Sequence, residues 1–306
     1  MAETADIDIA ICTFQRDHIT QTMQSLGRIR VPDRLRLRVI VVDNDDTPSA
    51  QARVVGQDWP FPVTYLHAPG RNIAIARNAC LDAATAPRLV FIDDDELVTR
   101  RWLEALIFTQ NASKAAVVLG PVRAIYPSDS PRWMVVGDHH ATQPVFVAGE
   151  IRTGYSCNAL LMREAPSIAG LRFSRALGRS GGEDTFYFAQ IHARGGRIAF
   201  APDAEVKELV PDARASLRWL LRRKFRFGHT HGLVLRAGVV QSPLRRMGGL
   251  ALAAGKCVFC YGMVLLTVPS ATNRVAWLLR GTLHAGVAFQ FLGGQSQDIY
   301  GKDQPA

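Results

Sequence analysis

A chain of 306 residues that is 48% hydrophobic, 21% charged and 8% aromatic has apolar mass enough for one large domain or two smaller ones, which excludes intrinsic disorder, a collagen repeat and a disulfide-stapled miniprotein. Five cysteines (Cys12, Cys80, Cys157, Cys257 and Cys260) make no disulfide framework at this length, and four lie in apolar runs that favour a reduced, buried thiol. The net charge of +9 is uneven: residues 1–211 hold 23 Lys and Arg against 24 Asp and Glu, a balance of −1, and residues 212–306 hold 13 against 3, a balance of +10. A neutral body with a basic tail points the tail at something anionic.

The N-terminal MAETADIDIAI lacks the basic start and long apolar run of a signal peptide, so a cytosolic location is expected. Apolar runs at 8–14, 37–44, 63–68, 88–95 and 115–122 read as strands, separated by helical patterns through Ile19, Met23 and Leu26, near 48–57, over 72–84 and in RRWLEALIF. Runs that are continuously apolar, spaced by helices, predict the central parallel strands of a doubly wound α/β sheet. Residues 123–182 lose this rhythm apart from a strand at 155–162. A helix over 184–193 and a strand at 198–202 follow, and from Ala213 the pattern is helical, basic and then strongly apolar. The expected division is therefore residues 1–211 and residues 212–306.

Ligands of an open α/β sheet bind beyond the carboxyl ends of its strands. Those positions hold Thr13, Phe14, Gln15 and Arg16, then Asp43, Asn44, Asp45 and Asp46, then Arg71 and Asn72, then Asp93, Asp94 and Asp95. Any one of them can serve as a helix cap or a solvated turn, but four strand ends in succession form a candidate nucleotide site. No GxGxxG follows the first strand and no GxxxxGK[ST] occurs, so dinucleotide and P-loop sites lose support. A diphosphate cannot lie against three aspartates unaided, whereas a hard divalent cation with oxygen ligands can bridge the two. The pattern thus predicts a nucleotide diphosphate with Mg²⁺ or Mn²⁺.

The segments IAICTFQR (9–16), VIVVDND (39–45), GRNIAIARNACLDAA (70–84), FIDDDE (91–96) and GGEDTFYFAQIHARGGRIAFAP (181–202) together resemble the family 2 glycosyltransferases of the GT-A fold. The resemblance spans roughly residues 5–230 and is closest to single-addition enzymes of succinoglycan-type exopolysaccharide synthesis. It implies that Thr13 and Asp43 hold base and ribose, that Arg71 and Arg77 lie near the donor, and that Asp93 and Asp95 supply the metal-binding Asp-x-Asp. Phe14, Arg16, Asp45, Asn72 and Asp94 complete the expected donor site. Asp184 matches the catalytic base, and a carboxylate there suits removal of an acceptor hydroxyl proton; Glu183 is its neighbour and the next candidate. The implied reaction is inverting, metal-dependent transfer of one sugar, UDP-linked, to a glycan acceptor on a polyprenyl diphosphate.

The Gln-x-x-Arg-Trp signature of processive synthases is absent, which favours single transfer, and Glu205 to Glu208 lack the histidine that some relatives place after the last strand. In the helix expected over 213–227, Arg218, Arg222 and Arg226 recur at i+4 beside Leu217, Leu221 and Phe225, a basic amphipathic surface suited to anionic headgroups. Arg222, Arg223, Arg226 and His229 are candidates for the acceptor or its diphosphate. Apolar segments at 247–269 and 275–294 are each about long enough to span a bilayer, by the ~20-residue criterion. Lys256 inside the first favours helices lying in the interface, so the expected location is the cytoplasmic face of the inner membrane, with no nucleic-acid partner. Two other readings are a sugar-phosphate nucleotidyltransferase, which Thr13 to Arg16 disfavour by lacking a glycine-rich loop, and a non-catalytic basic adaptor, which the strand-end aspartates disfavour. Cys257-Val258-Phe259-Cys260 has redox spacing in a run too apolar for a reactive thiolate.

Overall fold

The computed structural model describes residues 5–32, 35–238, 243–295, 298, 300 and 301. In chain order the elements are β1 (Ile7–Thr13), α1 (Ile19–Leu26), β2 (Leu37–Asp43), α2 (Gln51–Val54), β3 (Val63–His67), α3 (Ile73–Ala83), β4 (Arg88–Asp93), β5 (Glu96–Val98), α4 (Trp102–Ser113), β6 (Val117–Leu119), β7 (Val122–Ile125), α5 (Arg132–Gly137), β8 (Phe146–Val147), β9 (Glu150–Ile151), β10 (Asn158–Met162), α6 (Glu183–Ala193), β11 (Ile198–Phe200), β12 (Val206–Leu209), α7 (Leu217–Gly238), α8 (Pro243–Leu266) and α9 (Ala271–Phe291). They fall into two compact units: Met1–Arg123, Thr142–Glu208 and Asp298–Ala306 in the first, Ala124–Ala141 and Leu209–Gln297 in the second. This differs from a single division at residue 211, because Met134 of α5 is buried with Leu220, Val275 and Leu279, and Tyr300 contacts Phe14.

The first unit is α/β, built on a seven-stranded sheet in the order β11-β6-β10-β4-β1-β2-β3. β1 pairs parallel with β2 and β4, β2 with β3, and β11 with β6, while β10 runs antiparallel to both β4 and β6. All seven residues of β1 are buried because helices cover both faces. The two-residue period of a strand then sorts them. Ala10 and Cys12 pack with Ala74, Cys80, Tyr187 and Ile191 from α3 and α6. Ile7, Ile9 and Ile11 pack with Ile19, Met23, Trp102 and Leu106 from α1 and α4. Asp8, the charged exception, is bound by Arg38 at 2.8 Å and accepts from the Thr85 and Ala86 N–H groups at 2.7 and 2.9 Å.

The run expected as one strand at 115–122 is two, β6 and β7, divided at Gly120-Pro121. Asn158 explains the break: its Nδ2 donates to the Pro121 and Ala204 carbonyls at 3.1 and 2.7 Å, its Oδ1 accepts from Trp102 Nε1 at 2.9 Å, and a Cβ on Gly120 would strike its side chain. The helix expected near 48–57 shrinks to α2.

In the second unit α9 packs against both α7 and α8. The α7–α9 approach is close: a Cβ on Gly228 would meet the Leu283 backbone, and one on Gly286 the Phe225 carbonyl. α9 therefore buries Val275, Leu279, Val287 and Phe291, so the second apolar segment is core. α8 differs. Its stretch Leu244–Leu266 has mean hydropathy 1.8, is only 11% buried, and is the one helix among the described residues long and apolar enough to cross a membrane.

Candidate active site

Register brings three strand ends level: Thr13 of β1 lies opposite Asp43 of β2, and Cys12 lies opposite Asp93 of β4. The three aspartates after β4 divide their work. Asp94 turns inward, is 4% exposed, and accepts from Thr13 Oγ1 at 2.7 Å and Arg16 Nη1 at 3.0 Å, while its carbonyl accepts from Thr22 Oγ1 at 2.9 Å. Burial pushes its carboxyl up to about 7 against the pull of Arg16. Asp94 is thus a lock between the β1 and β4 loops. Asp95 is ion-paired with Arg16, and Asp93 leaves 41% of its side chain exposed.

Arg77 comes from α3 and is nearly buried. It is ion-paired with Glu183, lies 3.8 Å from Asp93 Oδ1, and stacks over the Phe173 ring at 5.7 Å. Glu183 opens α6, is 3% exposed, and its Oε2 is buried with no hydrogen-bond partner. Burial raises its carboxyl to about 7 although Arg77 opposes the shift. The N-cap of α6 is Gly182, at φ +94°, not Asp184. Asp184 is half-buried and accepts from the Thr185 N–H at 2.6 Å, and its charge reaches Glu183, Asp93 and Arg77. One arginine therefore joins the acids of β4 to those of α6.

The loops after β1, β2 and β3 are held by their own side chains. Asp43 is fully buried and accepts from the Asp45 N–H at 3.1 Å, the Ala50 N–H at 2.7 Å and the Tyr65 hydroxyl at 2.8 Å, which makes it an organiser of the β2 loop that no solvent reaches. Asp45, 4% exposed, accepts from Gln15 Nε2 at 3.1 Å. Asn72 caps α3 by accepting from the Ala74 N–H at 3.0 Å and donates to the Arg175 carbonyl at 2.9 Å, so both ends of its amide are used within the fold. Arg71 reaches Asp46 at 2.8 Å and lies over the Phe14 ring at 5.7 Å. Gln15 and Arg71 both hold left-handed backbone, at φ +50° and +48°, a strain that gathers where loops are shaped for a ligand.

Asp93, Glu96 and Cys157 bring one potential ligand atom each within 4.8 Å of one another. Burial holds the Glu96 carboxyl and the Cys157 thiol well above their usual ranges, which makes both reluctant anionic ligands. Glu96 instead receives the Asp93 N–H at 3.0 Å. The most exposed oxygens of this corner are those of Asp93, whose carboxyl is pushed up by burial and by the neighbouring Asp95, and two carboxylates placed so close fit a hard divalent cation. The sequence pattern singled out neither Glu96, which reads there as the tail of an acidic run, nor Cys157, nor Tyr65.

In the second unit Arg223 donates to the His140 carbonyl at 3.0 Å and lies over Trp219 and Phe227 at 5.2 and 5.1 Å, with Arg226 over Phe227 at 5.8 Å. His140 stacks on Trp219 at 5.1 Å, and burial lowers it to about 4. Arg222 is exposed. His229 packs inside the second unit. The glycine-lined α7–α9 approach buries it, and its Nε2 meets the Gly294 carbonyl at 3.1 Å.

Residues 8–166 match the family described as Glycosyl transferase family 2. The chain belongs to that family. This glycosyltransferase is 50% identical over 301 residues to the succinoglycan biosynthesis protein ExoM of Rhizobium meliloti (strain 1021), covering 98% of this chain and 97% of that one. That places it with the exopolysaccharide enzymes of succinoglycan type. It is also 27% identical over 268 residues to the pre-mycofactocin glycosyltransferase of Mycobacterium tuberculosis, covering 84% of this chain and 53% of that protein. Among solved structures, the mannosyltransferase PcManGT of Pyrobaculum calidifontis, in complex with GDP-Man and Mn²⁺, superposes with a TM-score of 0.62 at 18% identity, over 96% of this chain and 89% of that one. S. aureus TarS 1–349 gives 0.53 at 12% identity, over 97% and 99%. These two likenesses establish the GT-A fold of the glycosyltransferase.

Proposed function

We propose that this glycosyltransferase moves a single sugar, with inversion, from a UDP-sugar to a lipid-linked glycan acceptor at a membrane surface, using a divalent cation. The observation that carries the reading is the arrangement around Arg77: the partly exposed Asp93 lies on one side and the Glu183–Asp184 pair on the other. Solved relatives of this fold hold GDP-Man with Mn²⁺, and UDP with GalNAc and Mn²⁺, which supports the class of donor and cation.

In this reading Asp93 and Asp95 would hold the cation, which supplies charge neutralisation for the leaving diphosphate. Thr13, Phe14 and Arg71 line the nucleotide end. Asp43 and Asp45 shape the β2 loop, Asn72 fixes the start of α3, and Asp94 with Arg16 fixes the aspartate loop. Asp184 accepts the proton of the acceptor hydroxyl as that oxygen bonds to the anomeric carbon and the bond from that carbon to the diphosphate breaks. Arg77 holds Glu183 and offsets the negative charge between the two carboxylate groups.

Arg222, Arg223 and Arg226 on α7 suit an acceptor diphosphate, and α8 presents Leu244, Val258, Leu265 and Leu266 at 73% exposure or more to a bilayer interface. Lys256, exposed midway along α8, favours lying in the interface over spanning it. Calorimetry with UDP, with and without Mn²⁺, tests the donor reading. Asp93→Ala and Asp95→Ala should each lose the metal-dependent part of binding while staying folded. Affinity that is unchanged by EDTA would sink it.

A further inference from the structure

The chain after α9 returns to the first unit, and its described residues there sit at the carboxyl edge of β1. The Tyr300 ring packs on Phe14 with centroids 5.5 Å apart, and its N–H donates to the Arg179 carbonyl at 2.9 Å. The Gly301 carbonyl accepts from Arg71 Nη1 at 3.2 Å. Gly301 is at φ +77°, and a Cβ there would stand 2.5 Å from both Cβ and O of Arg71, so only glycine allows this approach. Burial pushes the Tyr300 hydroxyl up, with Asp94 adding to the shift and Arg77 and Arg16 opposing it.

The ring and the Gly301 carbonyl therefore occupy Phe14 and Arg71. Resting on the donor reading above, we infer that Tyr300 and Gly301 form a strap seated in the nucleotide end of the cleft, which the donor must displace to bind. The contacts are self-ligation: one aromatic contact on Phe14, one carbonyl on an arginine and one N–H on the Arg179 carbonyl. A strap of this kind lowers apparent donor affinity by the fraction of time the site is covered.

Two full-length variants lift the strap by different routes. Tyr300→Ala removes the ring and hydroxyl, and Gly301→Ala drives a methyl into Arg71. Titration of UDP and GDP in the presence of Mn²⁺ should show both variants binding more tightly than the unaltered chain, by roughly tenfold. Weaker or equal binding in both variants, with normal binding by the unaltered chain, would overturn the strap and make these residues part of the donor site's wall or of the scaffold. If neither nucleotide binds the unaltered chain or either variant, the donor reading fails and the strap fails with it.

Discussion

Glu183 is 3% exposed and ion-paired with Arg77, whereas its neighbour Asp184 is half-buried and accepts from the start of its own helix. Substituting them should separate chemistry from architecture. Asp184→Asn preserves shape, so it should keep the melting temperature and nucleotide binding but abolish sugar transfer, read as product formed from a competent acceptor. Glu183→Gln strands a buried arginine and should cost about 3 kcal/mol of stability, seen in urea titration. Near-normal turnover by Asp184→Asn would move the base to Glu183. Glu96 gives a pH signature. Its carboxyl is raised well above 4.5 by burial and by Asp93, so the unfolded chain ionises first. Stability then falls as pH rises through and above the ordinary carboxylate range, by about 1.4 kcal/mol per pH unit while only the unfolded state is ionised. Glu96→Gln should flatten that decline and raise the melting temperature at pH 7 to 8. An unchanged pH profile would show that Glu96 is charged in the folded protein.

At the scale of elements, the placement of Arg77 depends on how α3 begins. Asn72 caps the helix, and a Cβ on Gly178 would strike the Asn72 side chain, so the 175–178 loop and the cap fit one another. Asn72→Ala should cost about 1 kcal/mol for the lost cap and weaken nucleotide binding through Arg77, without the loss of metal dependence expected at Asp93. A melting temperature unchanged by Asn72→Ala would argue that the cap is dispensable. The strands legible in sequence include β3, β10 and β11, and most directly the central β1, β2 and β4, because burial on both faces leaves an unbroken apolar run. β5, β8, β9 and β12 span two to four residues each and show no period that a pattern can register. The acids of the cleft were legible as positions after strands, but not their division of labour. Asp94 and Asp43 look in sequence like their neighbours, and only burial and hydrogen bonding mark them as supports. Tyr300 was illegible because its partners, Phe14 and Arg179, are distant in sequence.

At the scale of the whole molecule, the two apolar segments of the C-terminal region meet different fates, since α9 is core and α8 is mostly bare. Removing everything after residue 240 would uncover Met134 and Leu220, so point changes on α8 are the cleaner probe. Val258→Glu with Leu265→Glu, at sites 73% and 75% exposed, should release the protein from anionic liposomes in a flotation assay while leaving nucleotide binding intact. Retained flotation would remove α8 as the anchor. A last consequence concerns descent. The strand ends of β1, β2 and β4 all come from one stretch ending at Asp93, whereas β10 runs the other way, with Asn158 level with Ile92, so the chain just before it arrives at the rim of the same cleft. Residues 145–150, around the β8–β9 pair, are all exposed and pair with none of the parallel strands, so they can lengthen, shorten or be exchanged without shifting those pairings. A lineage could therefore diversify the rim by indels there while inheriting the nucleotide half unchanged, which would let one scaffold populate many steps of surface-polymer assembly.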